Sequence, residues 1–116
     1  MKENISCSRS KVDNNLIEDA KQKIINSKSS INLSSKYFAL LGSEVRLSII
    51  YLLLQYKQLC VCDLSDILNI NQSPISQHLR KLKDANLVKN ERDGMTIYYH
   101  IEESIKPLLK TFLKQI

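Results

Sequence analysis

A mainly α-helical fold with one small β-hairpin is what the sequence predicts, and three observations predict it. Apolar residues recur at helical spacing along most of the chain. A Ser-Pro pair opens the clearest amphipathic helix, and an Asp-Gly pair then separates two strand-like runs. At 116 residues and 43% hydrophobic content the chain has the size of one domain with one core.

Residues 1–12 are mostly polar, contain Cys7, and are expected to form a flexible arm ahead of a folded domain over 13–116. From Asp13 onward, Leu16, Ile17, Ala20 and Ile24 keep helical spacing, and the Ser/Lys/Asn-rich run from Asn26 to Asn32 reads as a connection. The apolar stretch from Leu33 to Tyr56 is expected to break at Gly42-Ser43. Ser43 then caps a second helix with Glu44 in its first turn and Leu47, Ile50, Tyr51 and Leu54 as its core stripe.

Between Cys60 and Asn69, Val61, Leu64, Ile67 and Leu68 suit a short helix packed on one side, and residues 69–72 form a turn. Ser73 is the expected N-cap of the next helix and Pro74 its first residue, because proline there gives up only an orphaned N–H. Ile75, Leu79 and Leu82 face the core, and Asn86 sits where a left-handed C-terminal residue is expected. The runs from Leu87 to Arg92 and from Met95 to Ile101 then flank Asp93-Gly94, the signal of a hairpin with a type I′ turn. Last, Ile105, Leu108, Leu109, Phe112, Leu113 and Ile116 form a stripe on a terminal helix of about three turns. Pairing with the same helix of a second subunit, or packing on its own domain, would bury it.

A short helix, a tight turn, a second helix with a polar face and a hairpin, in that order, spell a winged helix-turn-helix. Lys and Arg outnumber Asp and Glu by 17 to 12, and the net charge of +5 favours an anionic partner such as double-stranded DNA. On the second helix Ser76, Gln77, Arg80 and Lys81, with Ser73 and His78 nearby, remain once the core positions are subtracted. These groups bond phosphates or base edges. Arg92 at the hairpin tip, with Lys89 before it, is placed to reach a neighbouring groove or backbone. His78 is assigned to DNA contact or structure rather than to a metal.

Cys60 and Cys62 flank Val61 at the start of the short helix, a placement that suits ligation. Positions i and i+2 of a regular helix point about 200° apart, so two thiolates grip one ion only in an extended or unwound first turn. Soft thiolates select ions such as Zn(II), Cd(II), Hg(II), Cu(I), As(III) or Sb(III), and Cys7 on the arm is a candidate third ligand. Two such cysteines are also commonly buried hydrophobes.

Leu59-Cys60-Val61-Cys62-Asp63-Leu64, then Ser73-Pro74-Ile75-Ser76-Gln77-His78-Leu79 and the wing ending Ile97-Tyr98-Tyr99, resemble the ArsR/SmtB family of metal-responsive repressors over residues 34–101. The Leu-Cys-Val-Cys-Asp-Leu run is similar to that of the arsenic- and cadmium-sensing branches. The resemblance implies a homodimer, formed through its N- and C-terminal helices, that leaves its operator when an ion binds. Cys60 and Cys62 fall on the family's paired ligand positions, and Cys7 is similar to the arm cysteine of cadmium and lead sensors. Two departures stand out: Ser65 occupies the place of the arsenic sensors' third cysteine, and the arm carries one cysteine where cadmium sensors often carry two. Glu102 and Glu103, with no His after His100, do not match the terminal-helix zinc site.

The leading expectation is therefore a repressor released by As(III), Sb(III), Hg(II), Cd(II) or Pb(II). A thiol-redox or persulfide switch on the same fold is one alternative, and a winged-helix protein-interaction module is another. An enzyme is not expected, since neither His78 nor His100 has an evident nucleophile and acid partner. With no signal-peptide pattern and no run near 20 apolar residues, the expected location is the cytoplasm, without membrane contact.

Overall fold

The computed structural model describes residues 6–116 and divides into two units, one ending at Ser34 and the other spanning residues 35–116. Residues 1–5, the start of the expected arm, lie outside the described residues, and among the described residues no helix or strand precedes Asn14.

Helix α1 (Asn14–Leu41) begins where Asp13 Oδ1 accepts the Leu16 N–H at 2.9 Å. The expected connection over residues 26–32 is not there, because α1 runs straight through it. Ser, Lys and Asn cost a helix only about 0.7 kcal/mol or less each relative to Ala, and no Gly or Pro interrupts the run. Within the first unit Leu16, Ile24, Ile25, Ile31 and Leu33 all remain exposed, so this helix carries an apolar face that its own unit does not cover.

The break falls at Gly42-Ser43, as the sequence indicates. Ser43 Oγ accepts the Arg46 N–H at 3.3 Å and starts α2 (Glu44–Gln55). The buried face of α2 is Ile49, Ile50 and Leu53. The expected stripe is thus rotated: of its members only Ile50 is buried, while Leu47, Tyr51 and Leu54 are partly covered. Packing on two sides, against α4 and β3 described below, selects this face of a helix that is apolar almost all round.

Strand β1 (Leu59–Cys60) leads into α3 (Val61–Leu68), and α4 (Gln72–Asp84) follows after three residues. Helix α4 starts two residues earlier than expected. Asn71, not Ser73, is the N-cap, which puts Pro74 third in the helix, still in the first turn where no intrahelical donor is required. Asn86, at φ 61°, ends the helix in the left-handed region as expected.

Strands β2 (Val88–Asp93) and β3 (Thr96–Ile101) form the hairpin, and β1 adds to β3 as a third strand, in the order β1-β3-β2, all antiparallel. Asp93 pairs with Thr96, so the two loop residues are Gly94 and Met95 rather than Asp93 and Gly94. Gly94 has φ 63° and Met95 does not share a positive φ, the pattern of a type II′ turn rather than I′.

Glu102 caps a single 3-10 turn (Glu103–Ile105), accepting the Ser104 N–H at 2.9 Å, and α5 (Lys106–Phe112) follows. The terminal helix is therefore seven residues, shorter than the expected three turns, because it ends at Phe112 and residues 113–115 form a turn instead. Only Leu109 of the expected stripe is fully buried. Phe112 meets Phe38 with ring centroids 5.3 Å apart, and Leu108 and Ile116 stay exposed. The core of the second unit gathers Leu41, the three α2 residues, Leu64, Ile75, Leu79, Leu82, Leu87, Val88, Ile101 and Leu109. Each such side chain contributes roughly 1.5–3 kcal/mol by leaving water. Among the described residues no single helix is long and apolar enough to cross a membrane.

Candidate nucleic-acid interface and thiol site

The turn between α3 and α4 is set by one left-handed residue. Asn69 ends α3 at φ 55°, ψ 47°, its N–H bonds back to Ser65 O, and the Ile70 N–H reaches the same carbonyl at 3.2 Å. Asparagine tolerates this region better than other residues with a Cβ, which is why a tight turn works here without glycine. The Ser65 hydroxyl closes the turn by donating to Ile70 O.

Ile75, Leu79 and Leu82 bury one face of α4 completely. Ser73, Ser76, Gln77, Arg80 and Lys81 are exposed on the remaining surface, so the structure brings five of the sequence-predicted contacts together on one helix. Lys81 and Lys83 lie in its last turn, where cations oppose the negative end of the dipole. The two predicted wing residues are separated. Arg92 pairs with Ile97, one step from the turn, while Lys89 pairs with His100 near the base of the hairpin. Both are exposed, and Glu91 and Asp93 flank Arg92 with opposite charge.

His78 differs from its neighbours on α4. It is half-buried, and Arg46 Nη1 of α2 lies 3.2 Å from its Nδ1, while Arg46 Nε–H donates to Leu40 O at 2.7 Å. Burial, then the charges of Arg46 and Lys81, hold the His78 pKa below the ordinary histidine value. Sequence reading missed Arg46. A lone arginine inside the apolar run of α2 was the available signal.

Cys60 is the N-cap of α3, with extended backbone at φ −95°, ψ 172°. Its Sγ accepts the Asp63 N–H at 3.5 Å, and Asp63 Oδ2 accepts the Cys60 N–H at 3.1 Å, so the pair forms a capping box with sulfur in the place usually held by oxygen. Only Cys62 lies inside the helix. The backbone at Cys60 is thus extended rather than helical, so the two cysteines do not both lie in regular helix. Cys62 is exposed, and its Sγ accepts from Gln72 Nε2 at 3.5 Å, which ties it to the first residue of α4. The spacing rules did not single out Gln72. Cys7 is an exposed free thiol in the other unit. Among the described residues no three His, Cys, Asp or Glu side chains cluster as a ready metal site.

Residues 43–90 match the model of a family described as bacterial regulatory protein, arsR family. The chain is 42% identical over 73 residues to the arsenical resistance operon repressor of Bacillus subtilis (strain 168), covering 62% of this chain and 70% of that protein. It is 37% identical over 68 residues to the cadmium resistance transcriptional regulatory protein CadC of Listeria innocua, spanning 59% of this chain but only 57% of that relative. Among solved structures, reduced HlyU from Vibrio cholerae N16961 superposes with TM-score 0.70 at 25% identity, covering 78% of this chain and 95% of that one. A homodimeric winged helix-turn-helix DNA-binding domain, Mb0332 from Mycobacterium bovis, gives TM-score 0.66 at 25% identity, covering 75% and 81%.

Proposed function

The chain belongs to the arsR family of bacterial regulatory proteins, and we propose that it is a DNA-binding transcriptional repressor released from its operator by a thiophilic ion held on cysteine. The observation that carries this reading is the position of the two thiols. Cys60 starts α3 and Cys62 touches the first residue of α4, so thiol chemistry sits at the joint that supports the DNA-facing helix.

In this reading Ser73, Ser76, Gln77, Arg80 and Lys81 enter the major groove, His78 contacts the backbone, and Arg92, with Lys89, contacts DNA from the wing. Cys60 and Cys62, with Cys7 as third donor, hold As(III), Sb(III), Hg(II), Cd(II) or Pb(II). When bound, the ion would supply a soft Lewis acid that takes up thiolate lone pairs. Cys62 engaged in this way would not keep its bond from Gln72, and the contact between α3 and the start of α4 would loosen. Release follows to the extent that the ion binds the DNA-incompetent arrangement more tightly. The active species is a homodimer. The exposed face of α1 around Leu16, Ala20 and Ile24 and the outer residues Leu108 and Ile116 of the C-terminal segment are its contacts, and the protein acts in the cytoplasm without catalysing a reaction.

The test titrates the reduced protein on a duplex with As(III), Hg(II) and Cd(II) while thiolate–metal absorption is recorded. Release of DNA as about one ion loads per Cys60/Cys62 pair supports the reading. DNA binding that no ion changes, but that an oxidant abolishes, turns it to a thiol-redox switch. Absence of duplex binding at low salt overturns it in favour of a protein-interaction module.

A further inference from the structure

Arg46 makes two side-chain bonds that point in different directions. Its Nε–H donates to Leu40 O at 2.7 Å, which anchors the guanidinium at the end of α1, and its Nη1 lies 3.2 Å from His78 Nδ1 on α4. A guanidinium carries donors and no acceptor, and it does not lose its proton at any working pH. The second contact is therefore a hydrogen bond in one polarity only: Nη1–H donates and Nδ1 accepts. An accepting Nδ1 has no proton, so the imidazole is neutral with its proton on Nε2, on the ring edge turned away from Arg46.

His78 follows Gln77 and lies three residues before Lys81 on the helix whose exposed surface carries the predicted DNA contacts. We propose that Arg46 is a positioning residue for DNA binding, locking His78 in the Nε2–H tautomer so that α4 presents a fixed hydrogen-bond donor to a phosphate oxygen. The proposal rests on the DNA-binding reading above. An unlocked ring would share its proton between both nitrogens and would leave an acceptor lone pair facing the phosphate part of the time. The charged groups facing the ring are Arg46 from α2 and Lys81 from its own helix, and both oppose its protonation, as does burial. The ring is kept in the neutral, single-tautomer form in which Arg46 can hold it.

Two measurements on the full chain test this. Long-range nitrogen-15 NMR of the reduced protein at neutral pH reads the tautomer, and fluorescence anisotropy with a duplex at fixed salt reads the affinity. The expected wild-type spectrum has Nδ1 unprotonated. In Arg46→Met the His78 nitrogens move toward averaged shifts and duplex affinity falls about tenfold, the worth of one charge-assisted hydrogen bond. In Arg46→Lys, which keeps a donor, part of that loss is recovered. Because Arg46→Met also disturbs the start of α2, a second pair on the exposed helix is decisive. His78→Gln keeps an amide donor in the place of Nε2 and binds several-fold tighter than His78→Asn, whose amide stands in for Nδ1. Arg46→Met adds little further loss in the His78→Asn background.

A wild-type His78 with its proton on Nδ1 overturns the proposal alone, as does equal affinity of His78→Gln and His78→Asn. A wild type that binds no duplex, yet shows the Nε2–H signature, overturns the DNA-binding reading and with it the purpose assigned to the tautomer.

Discussion

Replacing Cys60 by Ser and by Ala separates the capping role its sulfur holds from the ligand role proposed for it. As N-cap, Cys60 Sγ accepts the Asp63 N–H at 3.5 Å, while Asp63 Oδ2 returns a bond to the Cys60 N–H at 3.1 Å. Losing an N-cap acceptor costs about 0.5–2 kcal/mol, and sulfur, a weak acceptor, belongs at the low end of that range. Cys60→Ala should therefore lower unfolding stability by about 0.5–1 kcal/mol. Cys60→Ser installs a favoured cap oxygen and should leave stability unchanged or raise it by a similar amount. As thiolate ligand, however, Cys60 has no substitute in either variant, so ion-induced release of DNA should disappear in both while duplex binding persists. Equilibrium urea unfolding followed by far-ultraviolet circular dichroism reads the first role, with an unchanged m-value confirming that the ensembles are comparable. The duplex titration reads the second. Equal stabilities for the Ser and Ala variants would refute the capping argument. Release of Cys60→Ser from DNA at the wild-type ion concentration would refute the ligand assignment, whatever the stabilities show.

Leu79→Ala, at a side chain with no exposed surface, should cost roughly 2–5 kcal/mol in the same unfolding assay, and wild-type stability would show that α4 is not packed by this face. Gly94→Ala should cost about 1–2 kcal/mol through the backbone alone, since φ is 63° and a Cβ there meets nothing within 4 Å; Gly94→Asn should cost less, which a thermal melt compares directly. Since the His78 pKa is lowered on folding, the unfolded chain takes up a proton first as pH falls below about 6.5. Stability should thus drop from that pH down to the depressed native value, and His78→Gln should flatten this segment of the stability–pH curve. Arg80→Gln should weaken duplex binding and reduce the slope of log affinity against log salt by about one if Arg80 meets a phosphate; an unchanged slope would move it to a base edge or off the interface.

Much of this fold is legible from short-range rules. Ser43 as a cap, the Ile75–Leu79–Leu82 face and the left-handed Asn86 each follow from residues within a turn or two of one another, and the structure agrees with all three. The errors are also instructive. A run rich in Ser, Lys and Asn looks like a connection, yet nothing in it breaks a helix, and α1 continues. The hairpin turn slid by one residue because Asp93 pairs with Thr96 and leaves Gly94 as the first loop residue. In α2 the apolar side chains surround the helix so fully that periodicity alone could not orient it, and its packing against β3 and α4 made the choice.

The sequence by itself determined the succession of helices from α2 to α4 and the hairpin after them, the Ser43 cap, the polar surface of α4 and the presence of two thiols at a helix start, because each depends on the chemistry of residues a few positions apart. Only the tertiary structure decided that Arg46 meets His78 across 32 positions, that Gln72 meets Cys62 across ten, and that β1 adds to β3. These contacts exist because buried α2, α3 and α4 bring their polar edges within hydrogen-bonding distance, and no local spacing rule reports where two packed helices will touch.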